Sequence, residues 1–251
     1  MIIELIAVGL FVGVISGFFG VGGGMLLNPI LLTIGFDIKS AIAISVVQMV
    51  LSSINGSYIN YKKGILAIND GIWVGIGGIL GAILGSYFTD IMSPNTLKIT
   101  LFSITLFALL RIYFSKPYDE NREAKKIASY ILFFIGFFIG VIAMMLGIGG
   151  SVLLMPILVG FLHYSTKNAA TAGLFFVVFS SLTGLIYRVL NNTFDKLHLN
   201  IEVVLAVAVS AIFGVVIGIK FKDRVSHEWH KKLLVLMYLV ILALLIRKIW
   251  F

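Results

Sequence analysis

The stretch from Gly20 to Pro29 reads Gly-Val-Gly-Gly-Gly-Met-Leu-Leu-Asn-Pro, and it returns 127 residues later, from Gly147 to Pro156, as Gly-Ile-Gly-Gly-Ser-Val-Leu-Leu-Met-Pro. Both copies lie inside long apolar sequence. Glycine has no Cβ and takes left-handed backbone easily, so such a run breaks a helix. The helix that restarts after the break begins with unpaired N–H groups and a partial positive charge. That is the chemistry of anion binding. In hydrocarbon, irregular backbone is tolerated only inside protein or beside a water-filled cavity. Two matching breaks in two matching halves are the sequence sign of a transporter's binding site. The expected cradle is Gly22, Gly23, Gly24, Gly149, Gly150 and Ser151, with the Ser151 hydroxyl as a further donor. The plainer alternative is that the glycines only let helices cross closely. Pro29 and Pro156 each remove one N–H and free the carbonyl four residues back, at Met25 and Val152.

Other polar residues are candidates for the same site. Gln48 sits mid-segment, where an unpaired amide is costly and can donate to an oxyanion; Asn28 has a weaker claim. Thr171 belongs to the corresponding segment of the second half, with Ser180, Ser181 and Thr183. Bonds between helices are the alternative role for all of these. No Asp or Glu falls mid-segment. Intramembrane carboxylates mark proton and cation relays, so their absence suits an anion path. With no cysteine and four scattered histidines, no metal site and no cofactor is expected. The glycine run follows no strand, precedes no Lys-Ser/Thr and has no acid about 20 residues on, which excludes a nucleotide loop. No nucleophile–base constellation lies at depth, so no catalytic residue is expected and the chain does not read as an enzyme.

The elements that must position these residues are membrane helices. The chain is 60% hydrophobic and 12% charged, against about 50% and about 25% for a soluble domain. Apolar segments fall at about 2–19, 24–35, 39–61, 70–90, 95–114, 127–147, 151–163, 167–189, 200–221 and 230–251. Their lengths fit helices rather than barrel strands. The net charge of +8 comes from Lys and Arg crowded into loops, which points to membrane topology rather than nucleic acid. Met1 to Glu4 has no basic residue and no small-residue cleavage site follows, so residues 2–19 read as a first helix rather than a cleaved signal.

The fold class expected is an all-α polytopic membrane protein. It has two repeats of about five helical segments, residues 1–114 and 127–251, joined by a polar linker at 115–126. Ser52 to Gly56 pairs with Ser180 to Gly184, and Gly81, Gly85 and Asp90 pair with Gly214, Gly218 and Asp223. Segments 24–35 and 151–163 make roughly 18–20 Å of helix at about 1.5 Å per residue, too short for a core about 30 Å thick. Each is therefore half of a re-entrant hairpin or of a broken helix. If each pair enters and leaves on one side, the repeats are inverted. Then 13 of the 19 basic residues lie on the linker side; the parallel arrangement splits them 11 to 8. The larger bias puts the linker in the cytoplasm and both termini outside.

The run from Gly17 to Gly24 (Gly-Phe-Phe-Gly-Val-Gly-Gly-Gly) and on to Pro29, echoed from Gly147 to Pro156, resembles the TauE/SafE family of membrane permeases. Ala41 to Ser45 supplies the companion Ala-x-Ala-x-Ser pattern. Its second-half counterpart, Ala169 to Gly173, ends in Gly, and Gly24 and Gly17 are matched by Ser151 and Met144. The resemblance implies a two-repeat anion permease of the cell inner membrane, associated with export of sulfite and organosulfonates. The expected function is alternating-access transport of a small oxyanion, sulfite or a sulfonate first. Thiosulfate or a short carboxylate is the alternative substrate class, and a non-transporting scaffold the alternative role. The partners are the anion and the lipid bilayer; a homodimer is allowed.

Overall fold

The computed structural model describes residues 2–20, 22–62, 68–114, 128–160, 166–222, 225 and 227–250. The expected linker at 115–126 and Asp223 lie outside them. Among the described residues the elements are eleven helices and no strand. They are α1 (Ile2–Phe19), α2 (Gly24–Ile34), α3 (Ile38–Lys62), α4 (Ile68–Ile91), α5 (Pro94–Tyr113), α6 (Ser129–Leu146), α7 (Ser151–Gly160), α8 (Thr166–Leu190), α9 (Thr193–Lys196), α10 (Ile201–Lys222) and α11 (His227–Trp250). Seven are long and apolar enough to cross a membrane. The four-residue α9 was not among the expected segments; Asn192 and His198, both at positive φ, bracket it.

The two halves exchange partners. α1, first in its half, packs along α10, and α6, first in the other, packs along α4. Glycine makes both contacts. Gly9, Gly13 and Gly17 lie against Val207, Ala211 and Val215; Gly77, Gly81 and Gly85 lie against Phe133, Phe137 and Val141. A methyl carbon on Gly13 would stand 2.3 Å from the Ala211 carbonyl oxygen, and one on Gly81 would stand 2.1 Å from that of Phe137. Here the plainer role of glycine holds: it lets backbones approach where lipid supplies no hydrophobic drive between helices. Both pairs rise together in residue number, so each runs parallel. α4 and α8 are also parallel, since Gly71 meets Phe175 and Gly75 meets Phe179.

The short helices turn back. Gly150 meets Phe176 and Ser151 meets Gly173, so α7 descends in register along α8 while α6 ascends with it. α6 and α7 therefore form a hairpin folded at its glycines. In the first half, Gly23 lies on Gln48 and Asn28 bonds Ser45, so α2 runs against α3 in the same manner.

Overpacking these helix crossings displaces backbone that cannot yield. Gly13→Leu and Gly81→Leu should each cost at least about 3 kcal/mol and lower the melting temperature in detergent. Leu80→Ala, on an exposed position, should shift it far less. Fluorescence-detected unfolding of the purified variants checks this.

Candidate functional site

The backbone of the two breaks matches residue for residue. Gly20, Gly22 and Gly23 have φ of 71°, 76° and 80°, and Gly147, Gly149 and Gly150 have 62°, 79° and 61°. These values are in the left-handed region that favours glycine. The breaks also meet. A methyl carbon on Gly22 would lie 3.5 Å from the Gly149 Cα, and one on Gly24 would lie 2.1 Å from the Gly147 carbonyl oxygen. All six expected cradle residues are buried. Gly23 caps α2 without a side-chain acceptor, so the first amides of that helix have no intrahelical partner.

Side chains from other helices close round this junction. The Gln48 amide lies flat against Gly23: a methyl carbon there would be 2.7 Å from Nε2 and 2.9 Å from Oε1. Its Nε2 donates to Ser52 Oγ at 2.7 Å, while Oε1, fully buried, has no partner. The Ser151 hydroxyl is also buried without a partner. Asn28 is fully committed in this conformation. Its Nδ2 donates to the Leu146 carbonyl at 2.7 Å and to the Gly147 carbonyl at 3.2 Å, and its Oδ1 accepts from Ser45. Asn28 thus ties the first break to the second. Thr171 falls on α8, with its side chain outside those described. Of the expected residues, the structure brings Gly22, Gly23, Gly24, Asn28, Gln48, Gly149, Gly150 and Ser151 to one place.

The second-half departures from the motif now have a physical reason. Gly173 stands where the first half has Ser45, and Ser151 where it has Gly24. A methyl carbon on Gly173 would be 2.9 Å from Ser151 Cβ. The two substitutions compensate: a serine at one position requires glycine at the other. Phe176, at the Gln48 position, presses its ring on Gly150 as Gln48 presses its amide on Gly23. The junction is therefore polar on one side and aromatic on the other.

Sequence reasoning missed Arg188 and Thr89. Arg188 is buried on α8 and donates to the Ser86 hydroxyl, the Gly184 carbonyl and the Met144 carbonyl at 3.0, 3.0 and 3.3 Å. The single Thr89 hydroxyl proton is shared among the Met145, Gly85 and Met144 carbonyls, at 2.9, 3.1 and 3.3 Å. A charged residue one short of the end of the apolar segment 167–189 looks like a loop cation from sequence; only its neighbours show it facing inward. Among the described residues, no group of three His, Cys, Asp or Glu could hold a metal.

Comparison with known proteins places this architecture. The profile described as "Sulfite exporter TauE/SafE" matches residues 5–245. A probable membrane transporter protein of Methanocaldococcus jannaschii is 28% identical over 238 residues, covering 89% of this chain and 87% of the relative. The probable membrane transporter proteins YunE and YdhB of Bacillus subtilis are each 23% identical, covering 96% and 87% of this chain and 94% and 89% of their own lengths. No solved structure matches significantly.

Removing Asn28 strands two buried carbonyls, at about 1–3 kcal/mol. Asn28→Ala should lower the melting temperature, and Asn28→Asp should lower it further, since a carboxylate would face those carbonyls. Equal melting of Asn28→Ala and wild type would contradict the clamp.

Proposed function

The chain belongs to the sulfite exporter TauE/SafE family, and on that premise we propose that it carries a small oxyanion through the junction of its two glycine turns. As a member it is a multi-pass membrane transporter and not an enzyme. Sulfite or an organosulfonate is the substrate class proposed. The observation that carries this reading is the meeting of two matched left-handed glycine turns beside buried, unpartnered polar atoms on Gln48 and Ser151. Helix starts supply donors and positive potential. Gln48 supplies an amide that can turn over, because the Ser52 hydroxyl donates as readily as it accepts. A turned amide keeps its bond to Ser52 and offers N–H to an anion.

The repeats, residues 1–114 and 127–251, are proposed to be inverted. Helix direction supports this. α3 passes the junction at Gln48 and α8 passes it at Val177; farther along α3, Gly56 meets Leu174, which lies earlier in α8. The two equivalent helices thus run in opposite senses. α1 with α10, and α6 with α4, follow the same exchange. Each hairpin then enters from its own face, and rocking of one half against the other opens the junction to each side in turn. The basic-residue bias supports a cytoplasmic 115–126 linker with both termini outside.

Two experiments test the proposal. Protein reconstituted in liposomes should move sulfite, with flux abolished by Gly23→Leu and Gly150→Leu and reduced about tenfold by Gln48→Leu, as the loss of one strong hydrogen bond implies. Flux of thiosulfate or carboxylates alone would reassign the substrate, and no flux of any anion would sink the transport site. Single cysteines at Ser93 and Ser115, in a chain with no native cysteine, should label from opposite faces; labelling from one face would end this topology.

A further inference from the structure

We propose that Arg188 sets the charge preference of the site, as a positioning residue acting through the end of α6. This rests on the oxyanion reading above. At each glycine break the end of one helix stands beside the start of the next. A helix end carries about half a negative charge and a helix start about half a positive one. Left alone, the pair largely cancels, and a break is a poor site for an anion. In the second half the negative end is covered. The last carbonyls of α6 and the one that follows, at Met144, Met145, Leu146 and Gly147, each accept from a side chain of a different helix. Arg188 of α8 takes Met144, Thr89 of α4 takes Met144 and Met145, and Asn28 of α2 takes Leu146 and Gly147.

Arg188 is the charged member of that set. A guanidinium stays protonated, and here it is 2% exposed. The exposed carboxylate of Asp90 acts on it from the outer side and offsets part of its charge. The positive charge of Arg188 acts on the interior at the Met144 carbonyl, five residues before Gly149 along the chain. The first half does not repeat the Arg188 and Asn28 donors. Asn60 stands at the Arg188 position and Met155 at the Asn28 position. With a buried cation behind the second break, each added negative charge on a bound anion gains from Arg188 again.

The experiment measures sulfite flux in liposomes and its inhibition by sulfate, a divalent anion, and methanesulfonate, a monovalent one. Arg188→Gln should weaken inhibition by sulfate about tenfold more than inhibition by methanesulfonate, the scale of one unit charge across a protein interior. Arg188→Lys keeps the charge and should retain the wild-type ratio of the two inhibition constants. Thr89→Val removes one neutral donor and should move that ratio in the direction of Arg188→Gln by a smaller factor, which keeps the test open if Arg188→Gln does not fold. Equal weakening of both inhibitors, or loss of maximal rate with both constants unchanged, overturns the inference and leaves a structural role. Wild-type protein that neither moves sulfite nor is inhibited overturns the oxyanion reading itself, and the inference falls with it.

Discussion

Backbone polar groups taken out of water must find partners, and this protein is organised around the two places where its backbone stops pairing with itself. At Gly20–Gly24 and Gly147–Ser151 the helical ladder ends inside apolar surroundings. Left-handed glycines let the chain reverse there within a few residues. The carbonyls released by α6 are each collected by a side chain, while the start of α2 has no side-chain cap and the Ser151 amide that opens α7 donates to the Gly149 carbonyl.

The surrounding bundle follows from the same economy of space. The hairpins reach the interior only if their long arms pack closely on neighbours, and glycines along α1, α4, α6 and α10 bring carbonyls and Cα atoms nearly into contact. Exchange of partners between halves, α1 with α10 and α6 with α4, makes each half the other's scaffold. Asn28 joins the breaks directly. Its bonds to the Leu146 and Gly147 carbonyls hold one hairpin to the other.

The halves are alike in backbone and unlike in side chains. Gln48 faces Gly23 where Phe176 faces Gly150; Ser45 serves Asn28 where Gly173 makes room for Ser151. A symmetric duplication would offer two equal cradles. The one built here puts a polar amide on one turn and a charged cover behind the other, a junction with two differing walls.

The helical membrane class, the segment boundaries to within a few residues and the two breaks were legible in the residues alone. Hydropathy sets the solvent of each segment, and a glycine run in hydrocarbon has few uses. That the two glycine turns belong together was legible because the motif occurs twice. Arg188 and Thr89 were not, since a basic residue near a segment end has the same sequence signature whether it faces water or the interior. Nor did the sequence assign Asn28 its role: an amide reads as a donor, and what it donates to depends on a backbone 118 residues away. Composition and repetition determine where the chain must bend, because those are properties of each segment in its solvent. The packing of the halves alone decides which groups meet at the bends, because those contacts join residues that sequence spacing does not relate.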